Sequence, residues 1–291
     1  MKKVTPNEID KICTLISNYI YDNEKIVIGV SGGIDSDVVA RLCVRAVGSE
    51  RVHLFFVKQE GTPEKRLLTV NNLAEELHCS LSIFSLENMN TDLIEELHNG
   101  DKVNFNPDSF MDYHRAKCSL RVAIFSAYQD NDFIFCSTTN RTEYMTGACM
   151  PYGDMLGNIR PIIHLYKTQV NELAKLLGTS ESVLNQAPSA DFWEGEDDMD
   201  DLSYMLLNKR QVPGYRRFSL EEMDSAQSIK RQLSGTKIDL ALEGFNSQLS
   251  IDEISEISGL NIEICHRLNS LIEGAKLTRH RKQMVELESL N

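Results

Sequence analysis

The sequence predicts an α/β protein with a doubly wound parallel sheet and a helical C-terminal region. Three observations support this fold class. Short apolar runs of strand length alternate with segments of helical periodicity up to Gly178. A Ser-Gly loop, SGGIDS, joins the first apolar run to a helical segment, and no strand candidate follows Asp200. Strands that alternate with helices typically form a parallel sheet covered by helices on both faces.

The individual elements are predicted from apolar periodicity and from helix-breaking residues. Isoleucines at helical spacing indicate a first helix at 7–22, and Gly48 and Gly178 are placed to end two later helices. The predicted strands are KIVIGV, RVHLFFV, SLSIFSL and DFIFCST, and the helices between and after them are DVVARLCVRAVG, EKRLLTVNNLAEELH, SLRVAIFSAYQDN and TQVNELAKLLG. We expect two units, 1–205 and a helical extension, 206–291, packed on it.

The C-terminal stretch LSIDEISEISGLNIEICHRLNSLIEGAK is predicted to form two short helices around Gly259. This pattern is also typical of a helix-turn-helix, so a non-catalytic nucleotide-binding regulator with such a C-terminus stays open as an alternative. The net charge of −13 favours a plain helical cap, because an acidic surface repels a nucleic-acid backbone. We therefore expect no nucleic-acid partner.

The composition indicates a cytoplasmic protein. The seven cysteines are scattered along the chain without a CxxC pair, which favours reduced thiols over a disulfide framework. No apolar run is long enough to cross a bilayer, and the N-terminus lacks the continuous apolar region of a secretory signal. We expect no membrane association.

The loop from Ser31 to Ser36 has the features of an anion site. It lies between a buried strand and the start of a helix, where unpaired backbone N–H groups and the helix dipole attract negative charge. Its glycines allow close approach of the backbone to a phosphate. Asp35 is suited to a magnesium ion that the phosphates share. The loop lacks the lysine of GxxxxGK[ST], so it is not of the kind that positions a γ-phosphate for transfer.

Several motifs resemble known sequences in order and in register. SGGxDS after a strand resembles the pyrophosphate loop of the ATP pyrophosphatases. STTNRTEYMTGACMPYGDMLGNIRPIIHLYKTQVNELAKLLG is similar to the ammonia-dependent NAD synthase family, with its GTxxxxE, TGxxTKYGDGxxDxxP and LxKTQV motifs. The similarity continues into APSADFWEGEDD, and TRHRK near the C-terminus resembles the family's TxHKR more weakly. The resemblance implies an adenine-nucleotide alpha hydrolase-like fold and a homodimer.

The residues that this resemblance assigns to ATP are all present. It implies catalytic roles for Asp35, Glu143 and Lys167, and it assigns Asp35 and Glu143 to Mg²⁺. The implied ATP-binding residues are Gly29, Val30, Ser31, Gly32, Gly33, Ile34, Asp35, Ser36, Thr138, Lys167 and Ser189. Two separated carboxylates can hold a hard cation against phosphates, and a lysine can neutralise the charge on leaving pyrophosphate.

The residues that the family uses for its acid substrate are partly replaced. Ser119 stands where the family has an arginine, Pro151 replaces the lysine of TKYGD, and Asn158 replaces the later aspartate. Ala148 and Cys149 replace two aromatic residues. The positions that remain assigned to the acid are Arg121, Asp154, Asn158, His280 and Arg281.

The resemblance therefore implies an ATP-dependent, AMP-forming amide ligase, which adenylates a carboxylate and transfers ammonia to it. Because the replacements are confined to the acid side, we expect an acid other than deamido-NAD, such as a sugar acid or a nucleotide-linked acid. The alternative is an NAD synthase proper, in which groups such as Arg115, Lys117 or Arg160 hold deamido-NAD. Ammonia is either free or delivered by a separate glutaminase subunit.

Overall fold

The computed structural model describes residues 1–59, 61–105, 110–149, 153, 155–187, 197–208 and 219–278, with the backbone alone at 110–117, 208 and 278. The four predicted strands are present and form one parallel sheet in the order β3-β2-β1-β4. Their bounds are β1 (Lys25–Gly29), β2 (Val52–Lys58), β3 (Ser80–Ser85) and β4 (Phe133–Phe135). The predicted α/β class with a parallel sheet is confirmed.

The predicted helices are present in the predicted order, and the structure adds others. The helices at Met89–Gly100, Arg141–Thr146, Glu181–Leu184 and Asp198–Asn208 are absent from the sequence-based expectation, and those at Leu220–Lys230 and Gly235–Asn246 were expected only as part of a helical extension. Gly178 and Gly259 end their helices in the left-handed conformation, as their positions predict. The bounds are α1 (Pro6–Tyr19), α2 (Ile34–Val47), α3 (Glu64–Leu77), α4 (Met89–Gly100), α5 (Phe110–Gln129), α6 (Arg141–Thr146), α7 (Lys167–Leu177), α8 (Glu181–Leu184), α9 (Asp198–Asn208), α10 (Leu220–Lys230), α11 (Gly235–Asn246), α12 (Ile251–Ser258) and α13 (Ile262–Thr278).

Both faces of the sheet are covered, because alternate residues of each strand point to opposite sides. Ile26 and Ile28 of β1 lie in the main apolar core, which also contains residues of α1, α2, α3 and α7. Val27 points the other way and packs with Phe125 of α5 and Phe135 of β4, whose rings stack with their centroids 4.1 Å apart. The sheet is therefore doubly wound, as predicted.

A second apolar core lies among the C-terminal helices. It is formed by α9 to α13, and it also includes Met145 of α6 and Tyr166, the residue before α7. Leu242 and Ile254 are fully buried in it. The C-terminal helices thus pack directly against the beginning of α7 and against α6. None of the described helices is both long enough and apolar enough to cross a bilayer.

Candidate active site

The strand order places a crevice between β1 and β4. The chain moves from β1 to β2 and β3 on one side, and returns to add β4 on the other side of β1. In an open parallel sheet, such a reversal leaves a crevice at the carboxyl ends of the strands, where ligands bind. The Ser-Gly loop follows β1, and the segment from Thr138 to Glu143 follows β4. The fold therefore brings these two segments to the same edge of the sheet.

A short parallel segment extends the sheet beyond β4. Cys136 pairs with Ile159, and the Ser137 N–H donates to the Ile159 carbonyl over 2.9 Å. This close approach requires glycine at position 157, because its φ is 152° and a Cβ there would lie 2.8 Å from the Ser137 Cβ. The pairing fixes the path of the chain as it leaves β4 toward Thr138.

The serines of the Ser-Gly loop hold the loop in shape. The Ser36 Oγ accepts a hydrogen bond from the Ser31 N–H (3.2 Å) and donates one to the Gly33 carbonyl (3.0 Å). The Ser31 Oγ accepts from the Gly33 N–H over 3.2 Å. In this structure both hydroxyls therefore brace the backbone, and they occupy the N–H groups of Ser31 and Gly33.

The rest of the loop presents backbone to the crevice. The side chains of Val30 and Ile34 are buried in the main core. The Val30 N–H already donates to the Phe55 carbonyl over 2.8 Å, so of these two residues Ile34 is the one whose N–H can face a ligand. Gly33 is the N-cap of α2 and carries no side chain that could occupy the first N–H groups of the helix. Gly32 has a φ of 77°, and a Cβ there would lie 3.2 Å from the Arg66 carbonyl oxygen. The Arg66 guanidinium in turn donates to the Gly32 carbonyl over 3.3 Å.

Asn140 joins the two predicted magnesium carboxylates. It is fully buried at the N-cap of α6, where its Oδ1 accepts from the Glu143 N–H (3.0 Å) and its own N–H donates to the Glu143 Oε2 (3.1 Å). Its Nδ2 donates to the Asp35 Oδ1 over 2.9 Å. One amide side chain therefore orients Asp35 from the loop and Glu143 from α6.

Lys167 begins α7 and points to the same carboxylates. Its ammonium pairs with the Asp35 Oδ2, and the Asp198 Oδ2 lies 3.8 Å from its Nζ. The side chains of Lys167 and Asp35 are each only 15% exposed. The structure thus brings Asp35, Glu143 and Lys167 together, and the roles that the family resemblance assigns to them stay predictions.

The electrostatics of the site reflect its crowding. Burial, together with the nearby Asp35 carboxylate, raises the pKa of Glu143 to about 8, although the Lys167 ammonium opposes this shift. Burial alone would lower the pKa of Lys167, but Asp35, Glu143 and Asp198 outweigh it and hold that pKa above its ordinary value. Lys167 therefore stays positively charged, while a proton or a cation is favoured between the two carboxylates.

These features fit a magnesium ion shared with phosphates. Within the described ranges there is no cluster of three or more His, Cys, Asp or Glu side chains that could hold a metal by itself. Two hard carboxylates facing each other beside an anion loop form the partial donor set that Mg²⁺ uses when phosphate oxygens and waters complete its coordination. Asp35 and Glu143 are the residues that would hold it.

The predicted acid-substrate residues are only partly brought to this edge. Arg121 of α5 donates from its Nε and Nη2 to the Gln59 Oε1 (3.1 and 3.0 Å), directly after β2. Asn158 has a structural role, because its Oδ1 accepts from the Phe135 N–H (2.9 Å) and from the Gln129 amide (3.1 Å). The other residues assigned to the acid, Asp154, His280 and Arg281, lie outside the described part of the chain, and so does Ser189, which was assigned to ATP.

The sequence-based assignment did not include several residues that shape the site. Asn140 carries a local signal, since NRTE has the Asn-x-x-Glu spacing of a capping box. Thr142, Arg66 and Asp198 carry no comparable signal, because their contacts come from distant parts of the chain. Thr138 lies half-buried after β4, where the family motif places it.

A doubly wound sheet with an anion loop after β1, faced by two carboxylates and a lysine, defines a nucleotide-binding protein of the α/β class. The chain belongs to the NAD synthase family, whose model matches residues 8–234. The resemblance found in the motifs is thus confirmed. The chain is accordingly an ATP-dependent, AMP-forming carbon–nitrogen ligase.

Curated relatives support this membership, and solved structures share the fold. The NH₃-dependent NAD⁺ synthetase of Methanococcoides burtonii is 35% identical over 194 residues, which is 65% of this chain and 72% of that protein. The solved NMN synthetase of Francisella tularensis has a TM-score of 0.71 at 22% identity, covering 99% of this chain and all of the other. The NH₃-dependent NAD synthetase of Campylobacter jejuni has a TM-score of 0.67 at 19% identity, covering 97% and 98%.

Proposed function

We propose that this protein is an ammonia-dependent NAD synthetase, which converts deamido-NAD to NAD at the cost of ATP. The observation that carries the ATP part is the meeting of Asp35, Glu143 and Lys167 beside the Ser-Gly loop. The acid is inferred from the relatives, which are named NH₃-dependent NAD⁺ synthetases at up to 35% identity. They favour deamido-NAD over the different acid that the sequence analysis expected.

The reaction needs no nucleophilic side chain. A carboxylate oxygen of the acid attacks the α-phosphorus of ATP, so that pyrophosphate leaves and an acyl-adenylate forms. Ammonia then attacks the acyl carbon, and AMP leaves as the amide forms. The protein's contribution is to orient the reactants and to neutralise charge. Lys167, held charged by its neighbours, faces the negative charge that develops on pyrophosphate. Asp35 and Glu143 would hold Mg²⁺, which would neutralise further charge on the phosphates.

A second candidate acid is a mononucleotide, nicotinate mononucleotide. The loss of the family's arginine at Ser119 and of its lysine at Pro151 removes two cations from the acid side. Each charge-assisted contact is worth about 1.5–3 kcal/mol, so the two losses correspond to roughly two to four decades of affinity. Asn158, which faces the backbone of β4, does not replace them. The full-length similarity to an NMN synthetase makes the mononucleotide the natural competitor to test.

The test compares both acids under identical conditions. Purified protein is given saturating Mg·ATP and ammonium, and pyrophosphate release and amide formation are followed for each acid. We expect kcat/KM for deamido-NAD of about 10⁴ M⁻¹s⁻¹ or more, and at least about tenfold below that for the mononucleotide. A higher kcat/KM for the mononucleotide would make the mononucleotide, instead of deamido-NAD, the assigned substrate. Binding of Mg·ATP without reaction of either acid would show that the acid has been misassigned.

The source of ammonia is tested in the same assay. We propose that the chain uses free ammonia or ammonia delivered by a separate glutaminase subunit. Glutamine in place of ammonium is therefore expected to give no amide with the purified chain alone. Turnover with glutamine by the purified chain would contradict this.

A further inference from the structure

A buried carboxylate of the C-terminal helices contacts the elements that carry both Glu143 and Lys167. Asp239 of α11 is fully buried. Its Oδ1 accepts a hydrogen bond from the Thr142 hydroxyl (2.6 Å), and its Oδ2 accepts one from the Thr168 N–H (2.8 Å). The Thr142 Oγ1 also accepts from the Lys167 N–H over 2.9 Å. Three elements, α6, α7 and α11, therefore meet through one carboxylate and one hydroxyl.

These contacts replace the usual cap of α7. The first N–H groups of a helix have no partner within the helix. Tyr166 precedes α7 without offering a side-chain oxygen to them. Thr142 and Asp239 take up the first two of these N–H groups from outside the helix. A negative charge at this end also interacts favourably with the helix dipole. Burying a carboxylate is costly unless it is hydrogen-bonded, so the geometry of this junction is tightly constrained.

Thr142 and Thr168, which bind Asp239, are each the sequence neighbour of a predicted catalytic residue. Thr142 directly precedes Glu143, and Lys167 directly precedes Thr168. Any change in the distance between α6 and α7 would therefore move the Glu143 carboxylate relative to the Lys167 ammonium. Asp239 itself is held by the second core, since Ile238 and Leu242 of the same helix are fully buried there.

We infer that Asp239 is a positioning residue, through which the C-terminal helices keep Glu143 and Lys167 correctly placed relative to Asp35. It acts through Thr142 and α7 and does not itself touch the phosphates. The inference rests on the ATP half of the proposed function and is independent of which acid is amidated. Asp239 lies in the first helix beyond the residues that the family model matches.

The main test variant is Thr142→Val, which keeps the shape of the side chain but removes the hydroxyl. Thr142→Ser restores the hydroxyl, and Asp239→Asn, a second variant, removes the charge and one acceptor oxygen. Ile238→Val is the matched control, because it weakens the packing of α11 without touching the junction. Two quantities are measured well below the unfolding temperature of each variant. They are kcat for pyrophosphate release and the rate of Lys167 acetylation by acetic anhydride, mapped by peptide mass spectrometry.

If Asp239 and Thr142 position the site, Thr142→Val and Asp239→Asn lower kcat at least about tenfold while KM for ATP changes less than about threefold. Lys167, now less firmly paired with Asp35, is acetylated several times faster. Thr142→Ser and Ile238→Val behave like the wild type in both measurements. A wild-type acetylation rate in Thr142→Val, or an equal loss of kcat in Ile238→Val, overturns the inference and leaves a purely structural cap. If the wild type turns over neither acid, the proposed function fails. The rate of Lys167 acetylation then decides by itself whether Asp239 positions the site.

Discussion

The Asn140 side chain contacts both of the carboxylates that would hold magnesium. It donates to Asp35 and accepts from the backbone of Glu143, so the two acids are oriented before any ligand arrives. Preorganised charge of this kind lowers the cost of reorganisation during reaction. Burial, and after it the nearby Asp35 carboxylate, raises the pKa of Glu143 to about 8. A cation between them would reverse that shift.

Substitution of Glu143 by Gln tests the metal assignment. Glutamine retains an oxygen that can accept the Asn140 N–H, but it removes the charge that would attract Mg²⁺. We expect turnover to fall by about tenfold or more, because several kcal/mol of charge stabilisation depend on the ion. The dependence of ATP affinity on Mg²⁺, measured by calorimetric titration, is expected to weaken in parallel.

The control for this prediction is Glu256→Gln, which makes the same change of charge at an exposed position of α12. It should leave both turnover and the Mg²⁺ dependence of ATP binding unchanged. Wild-type turnover in Glu143→Gln, with the same Mg²⁺ dependence as before, would remove Glu143 from the metal site.

At the scale of elements, the sequence predicted those whose signals are local. TQVNELAKLLG has apolar residues on one helical face and a terminal glycine, and α7 ends at Gly178 as expected. The strands were found because each is a short buried run between breakers. The helix at Met89–Gly100 was missed because it begins after Asn88 in the left-handed conformation, without a side-chain cap to mark its start.

The candidate site was predictable where a motif carries it and not where distant contacts do. Asp35, Glu143 and Lys167 each stand in a recognisable motif. Asp239 does not, because its importance depends on the packing of α11 against the start of α7, more than seventy positions earlier in the chain. Asn158 shows the converse. Its motif position indicated the acid substrate, whereas its side chain accepts hydrogen bonds from β4 and α5.

A buried arginine joins the helices that follow β1 and β2. The Arg41 guanidinium of α2 donates to Asp37 (2.7 Å) and, through both terminal nitrogens, to Glu76 of α3 (2.7 Å each). The hydrogen bond from Arg41 lowers the pKa of Glu76 below its ordinary value of 4.5. Because α2 carries Asp35 at its start, this pairing helps to fix the helix behind the Ser-Gly loop.

The pH dependence of stability tests this pairing. A lowered carboxyl pKa stabilises the folded state above the ordinary value of 4.5, and this stabilisation disappears as the pH falls through the lowered pKa. Glu76→Gln is therefore expected to lower the unfolding temperature near neutral pH and to match the wild type in strong acid. Because the Glu76 side chain is half exposed, the loss should be about 1 kcal/mol or less.

Glu75→Gln is the matched control, since its exposed side chain lies one position earlier on the same helix. It should show no comparable change with pH. An unfolding temperature for Glu76→Gln that differs from the wild type by the same amount at all pH values would contradict the pairing.

At the scale of the whole molecule, helix α5 leaves a face of small side chains uncovered. Ser119, Ala123, Ser126 and Ala127 are exposed and lie at helical spacing along one side of the helix. The opposite side packs on the sheet through Phe125. Small side chains allow a second helix to approach closely, and a second copy of this chain would offer the same face. The family resemblance predicts a homodimer, and we expect α5 and α1 to supply its shared surface.

Sedimentation at micromolar concentration tests this assembly. We expect a dimer whose interface buries more than roughly 2,000 Å², the range of obligate pairs. Ala123→Arg places a long cation in the small-residue face and should shift the protein to a monomer without lowering its helical content. Ser228→Arg, on an exposed face of α10, adds the same charge elsewhere and should remain dimeric. A wild type that sediments as a monomer would exclude the dimer, whereas a dimer unaffected by Ala123→Arg would place its interface on another surface.

The dimer also bears on the acid substrate, because Arg121 lies on the same helix as Ala123. Pairing of the two copies of α5 would help to hold Arg121 in place beside Gln59. The monomeric variant should therefore bind the acid substrate less tightly than the dimeric wild type.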